Sequence, residues 1–187
     1  MKIIDVELKG ISPLMQHRYT LKTEKEDQSK KKSGVVDYSE AWINALYWND
    51  EIGIYQPASH IEGAMIKAAT NFQIPGRRGK TYKDIFKSSV FVRPDYIPFR
   101  IKGEPKKLLE RGKFDIDIRP VVIQRSRVER ARPIFRNWNL KLQIEIHDEQ
   151  IPEEVVKEVL DFAGKFCGIG DFRPRHGRFQ VIHFGVN

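Results

Sequence analysis

Cysteine is all but absent: Cys167 is the only one in 187 residues. A single thiol excludes a disulfide within the chain and a cysteine-based zinc site, and it fits a reducing, cytoplasmic compartment. Long hydrophobic runs are missing too. No apolar stretch approaches the ~20 residues that span a bilayer, so no membrane partner is expected. The opening MKIIDVELKG alternates too regularly and carries too much acid to read as a signal peptide. There is no Walker loop, no Gly-x-Ser-x-Gly and no Cys–His signature. His17, His60, His147, His176 and His183 are scattered without metal-ligand spacing. No metal and no cofactor is therefore expected. Asp115 and Asp117 share one face of an extended stretch and can bind a metal or act as acid and base. A solvent-facing strand side is the commoner meaning of such a pair.

What the chain does have is positive charge in one place. From Arg77 to Arg136 there are 18 Lys/Arg against 7 Asp/Glu, whereas the remainder carries 15 against 18. A local cationic excess attracts polyanions, of which nucleic acid is the commonest.

Alternation of Ile4, Val6 and Leu8 with Asp5, Glu7 and Lys9 predicts a half-buried strand. A turn follows, GISPLMQHRY, which carries His17 and Arg18. Residues 20–36 are polar, dense in both charge signs and aperiodic, which predicts a mobile loop rather than a domain boundary. DYSEAWINALYW reads as a short helix capped by Ser39. PASHIEGAMIKAATNF reads as a longer one, with Ser59 and Glu62 spaced as a capping box and Ile61, Ala64, Met65, Ala68 and Phe72 on one face. FDIDIRPVVIQRSRV and IFRNWNLKLQIEI read as extended pieces. The second is the cleanest strand in the chain, with Trp138, Leu140, Leu142, Ile144 and Ile146 on its core side. Pro152 opens a helix whose core side is expected at Val155, Val159 and Phe162, flanked by Val156 and Leu160. RFQVIHF is the last strand. The order predicts one α+β domain over 1–187: a ferredoxin-like (βαββαβ, RRM-like) core with a large basic insertion at about 74–136.

Three clusters can meet a nucleic acid. Gly168, Gly170 and Gly177 with Arg173, Arg175 and Arg178 form a loop before the last strand, where arginines can grip phosphate through paired hydrogen bonds. A plain helix-to-strand connection, its glycines serving only the turns, explains the same residues equally well. PGRRGK places Arg77, Arg78 and Lys80 between glycines, as a phosphate site or an exposed turn. QRSRVERARPIFRNW interleaves Arg125, Arg127, Arg130, Arg132 and Arg136 with aromatics, which suits single strands whose bases stack. Arginines on both faces of a strand point to a projecting hairpin.

Taken together, VELKGISPLMQH, QPASHIEGAMIKAA and GIGDFRPRHGRF resemble the first strand and turn, the start of the first helix and the glycine-rich loop of the RAMP superfamily of CRISPR-associated proteins. The likeness is greatest to the RNA-binding backbone subunits of guide-RNA effector complexes in antiviral defence. It implies RNA binding, a thumb-like hairpin and head-to-tail assembly with copies of itself and other protein subunits. It also implies that the helix from Ser59 through His60 to Lys67 meets the nucleic-acid backbone. The reading drawn from all this is a non-catalytic subunit that binds single-stranded RNA. Two alternatives remain open: a metal-independent endoribonuclease using His17 or His176 as base, and a scaffold for acidic partners.

Overall fold

The computed structural model describes residues 1–19, 41–123 and 125–186. The mobile loop expected at 20–36 and the cap expected at Ser39 lie outside these residues. In chain order the elements begin with β1 (Lys2–Gly10), β2 (Leu14–Met15), α1 (Ala41–Ala45), β3 (Trp48–Asn49) and β4 (Gly53–Pro57). Next come α2 (Ala58–Ala69), α3 (Lys83–Ser89), β5 (Val90–Arg93), β6 (Tyr96–Pro98) and α4 (Pro105–Glu110). The last are β7 (Asp115–Ile123), β8 (Ser126–Phe135), β9 (Asn139–Ile146), α5 (Glu153–Phe162), a π-turn (Ala163–Cys167) and β10 (Phe179–Val186). The result is an α+β architecture of antiparallel sheets.

The main sheet has the order β10-β1-β9-β5, every pair antiparallel. The period-two patterns of β1 and β9 set its two faces. Ile4, Val6 and Leu8 bury against Leu140, Leu142, Ile144 and Ile146, all at most 5% exposed. Complete burial of each such side chain contributes roughly 1.5–3 kcal/mol. Helices α2 and α5 cover this face and pack on one another, with Phe72 meeting Phe162 edge-on at 5.8 Å. The opposite face is polar and held by cross-strand pairs. Gln143 donates to Asp5 at 2.8 Å, and Lys141 lies 3.1 Å from Glu7. A second sheet, β2-β8-β7, consists of a long hairpin with a short strap against its base. The third, β3-β4-β6, leads into α2.

Several expectations are corrected. Ser59 and Glu62 form no capping box: α2 starts at Ala58 behind Pro57 with no side-chain cap. The Glu62 carboxylate instead accepts a hydrogen bond from the Val92 amide at 2.9 Å, fastening α2 to β5. The buried side of α5 is Val156, Val159 and Leu160, rotated from the expected stripe, with Val155 and Phe162 only half-buried. IFRNWNLKLQIEI is two strands rather than one, because the chain turns at Arg136–Trp138 between β8 and β9. Strand β5 falls within 74–136 yet is the edge of the main sheet, so that segment is not wholly an insertion.

Candidate nucleic-acid interface

The glycine loop is pinned rather than loose. The Asp171 amide donates to the Met15 carbonyl at 2.8 Å and the Gly177 amide to the Pro13 carbonyl at 2.7 Å. Across the loop, the Ile169 amide donates to the Gly177 carbonyl at 2.9 Å. A Cβ on Gly177 would stand 1.7 Å from the Ile169 carbonyl oxygen, and one on Gly170 would stand 2.5 Å from that of Met15. These two glycines therefore permit close approach of the chain to itself. Arg173, Arg175 and Arg178 are exposed on this rigid loop, while His176 is buried beneath it.

The base of the hairpin docks on the same loop. Arg132 on β8, 9% exposed, pairs with Asp171 at 3.2 Å and also points a guanidinium nitrogen at Met15 Sδ, 3.6 Å away. Asp171 thus ties the loop to the hairpin. Arg119 on β7 lies over the Phe172 ring, 5.1 Å from its centre, and pairs with Asp117 at 2.6 Å. Asp115 pairs with Arg136 at 2.7 Å. Arg130 donates to His17 Nε2 at 2.7 Å. Because a guanidinium can only donate, this places the imidazole proton on Nδ1. Burial, then the Arg130 charge, pushes the His17 pKa down.

A third group adjoins these. The fully buried Gln16 amide donates to the Tyr55 carbonyl at 2.8 Å and to Gln56 at 3.2 Å, while its oxygen accepts from the Tyr47 amide at 3.0 Å. Gln56 in turn donates to His60 Nδ1. Burial, then the nearby Arg173 charge, lowers the His60 pKa. Tyr47 sets its ring edge-on to His60 at 5.4 Å, Tyr55 lies 5.8 Å from Tyr47, and Tyr96 lies 4.7 Å from Tyr55. Tyr96 is half exposed, and the charge of exposed Arg18 acts on both Tyr47 and Tyr55.

On α2, Ser59, Gly63 and Lys67 lie exposed at four-residue spacing, along one side of the helix. Nothing in the described chain comes within 4 Å of a Cβ built on Gly63. A mid-helix glycine costs roughly 0.8–1 kcal/mol relative to alanine, and no internal contact requires it here. Both Lys67 and Arg173 act electrostatically on Cys167, whose thiol pKa burial pushes up.

The structure therefore brings together His17, Arg18, His60, Arg130, Arg132 and the loop arginines, with Ser59 and Lys67 on the adjoining helix. Arg77, Arg78 and Lys80 stand apart. They are exposed on a turn beyond the other end of α2, closed by the Ile74 amide donating to the Lys80 carbonyl at 2.9 Å. Arg125 is exposed at the hairpin tip, and Arg127 lies beside it, opposite Val122 in register. Sequence reasoning passed over Gln16, Tyr47, Tyr55, Gln56 and Tyr96, which meet only through tertiary folding, and Phe172, which meets Arg119 of the hairpin in the same way. Among the described residues no group of three His, Cys, Asp or Glu is placed to hold a metal. None of the described helices is long and apolar enough to cross a membrane.

No family model and no curated protein matches the chain. Among solved structures, the chain is similar in fold to one chain of a cryo-EM structure of the Type III-B Cmr-beta complex bound to cognate target RNA. The TM-score is 0.50 at 14% identity, over 99% of this chain and 60% of that one. The chain thus spans about three-fifths of its neighbour's length, and at this identity the likeness is one of fold.

Proposed function

We propose that this protein binds single-stranded RNA along its phosphate backbone, as a non-catalytic subunit of a CRISPR-type ribonucleoprotein. The observation that carries the reading is the set Arg173, Arg175 and Arg178: exposed, on a rigid loop, and in no ion pair among the described residues. The pinned backbone spares the loop itself an ordering cost on meeting phosphate, leaving only the side chains to be ordered. Exposed Tyr96 offers ring surface to bases. Gly63 leaves the flank of α2 smooth enough for a backbone to lie against it.

Strand, helix, two strands, helix and strand in one antiparallel sheet support a ferredoxin-like, RRM-like core. The β7–β8 hairpin fits the part of a thumb, and the fold likeness to a subunit of an RNA-bound complex favours RNA and a RAMP-type role. Assembly head-to-tail with copies of itself and other subunits, in the cytoplasm, belongs to this reading. Histidine chemistry is disfavoured. His17 Nε2 is engaged by Arg130, and His17 Nδ1 and both nitrogens of His176 are buried without hydrogen-bond partners among the described residues.

The test is a gel-shift titration with labelled single-stranded RNA, followed by denaturing electrophoresis of the same samples. A shift with intact RNA is expected. Cleavage abolished by His17→Ala or His176→Ala supports the endoribonuclease reading instead, and no shift at low salt leaves the scaffold.

A further inference from the structure

The polar face of the main sheet holds a cavity unrelated to the arginine cluster. It has a volume of about 420 Å³, in the range of small-ligand sites. Its floor is Glu7 and Lys9 of β1 with Asn139 and Lys141 of β9, paired in register as Glu7↔Lys141 and Lys9↔Asn139. Its wall is the segment after β6, carrying Phe99 and Arg100, and Asn137 and Trp138 close one side.

The wall is built with strain. The Phe99 amide donates to the Ile54 carbonyl at 2.9 Å, and the Ile54 amide donates to the Ile101 carbonyl at 3.1 Å. Residue 54 thus clamps both neighbours of Arg100 and leaves it bulged at φ 60°, a left-handed conformation that non-glycine residues adopt at a cost. Such residues cluster at ligand sites. Arg100 and Lys9 are exposed and form no ion pair among the described residues. Lys141 is tied to Glu7, the one carboxylate of the lining.

The remaining lining mixes apolar Pro98, Phe99 and Ile101 with two asparagines. Half-buried Phe99 stacks one way on Phe135 at 4.9 Å, whereas the Trp138 side chain is buried on the core side with its indole N–H on the Ser12 carbonyl at 2.9 Å, so Phe99 is the ring that borders the cavity. Asn137 and Asn139 each supply a donor and an acceptor, the complement of a base edge. Three cations with one carboxylate suit an anion, but a bare anion leaves the Phe99 ring and the amides unused. A planar heterocycle joined to a phosphate uses all of them.

We propose that this cavity binds a nucleoside monophosphate, with the phosphate on Lys9 and Arg100 and the base toward Phe99 and the two asparagines. The proposal does not depend on RNA binding by the glycine loop. Calorimetric titration of the whole chain with 5′-AMP, GMP, CMP and UMP tests it, with the matching nucleosides and inorganic phosphate as comparisons. At least one monophosphate should bind one-to-one, about tenfold or more tighter than its nucleoside or phosphate alone. Arg100→Gly removes the guanidinium and suits the left-handed backbone. It should melt no lower than the parent, lose about tenfold in nucleotide affinity and still shift RNA. Lys9→Gln should weaken the nucleotide similarly. No saturable heat at roughly millimolar nucleotide, phosphate binding as tightly as any nucleotide, or affinity unchanged in both variants would overturn the assignment.

Discussion

Arg132 of the hairpin and Asp171 of the glycine loop form an ion pair at 3.2 Å, the arginine side chain only 10% exposed. The hairpin and the loop are thereby one body, and the spacing of their exposed arginines is set by the fold. Removing the carboxylate strands a largely buried guanidinium. Asp171→Asn should lower unfolding free energy by about 2 kcal/mol in denaturant titration, since the pair is partly open to water. An unchanged midpoint would mean that water replaces the pair without loss.

Gly63 separates stability from function. A methyl group there meets nothing in the described chain. Gly63→Ala should therefore stabilise α2 by roughly 0.8–1 kcal/mol. Gly63→Leu should also fold, yet weaken RNA binding by obstructing the flank of the helix. Affinity unaffected by the leucine would show that the strand does not lie there.

Strands whose signal is local were legible in the sequence. Alternation from Leu140 to Ile146 and from Ile4 to Leu8 fell on the buried faces, because a period of two on a one-sided sheet has a single solution. Strand β5 was not legible: four residues before Pro94 carry too little pattern, and they join the sheet through Glu62 and the partner β9. The capping box failed because the Glu62 carboxylate had a tertiary partner that local spacing cannot reveal. The position of the glycine loop was readable, but its rigidity depends on Pro13 and Met15, far away in sequence. The tyrosines 47, 55 and 96 come from three separate segments and carry no common motif.

Three histidines predict an acid-sensitive fold. Burial is the first cause lowering His17, His60 and His176 from the ordinary value of 6.5. Below about pH 6.5 the unfolded chain takes up protons that the folded chain refuses, so stability falls with pH until the folded values are passed. Denaturant midpoints should drop between about pH 7.5 and pH 5.5, above the range where carboxylates titrate. His60→Gln should make the decline shallower. A flat profile, or one rising toward acid, would contradict the neutral, buried state of these rings.

The central claim is that the loop arginines face phosphate, and the salt dependence of single-stranded RNA affinity tests it most directly. For a single strand, log K falls with log salt at a slope of about −0.7 per phosphate neutralised. The parent should show a steep slope. Changing Arg173 and Arg175 together to Ala should lower affinity and make the slope about 1.4 shallower, with folding stability altered by about 0.5 kcal/mol or less. A parent slope near zero, or a double variant that melts early while keeping both affinity and slope, would contradict the account.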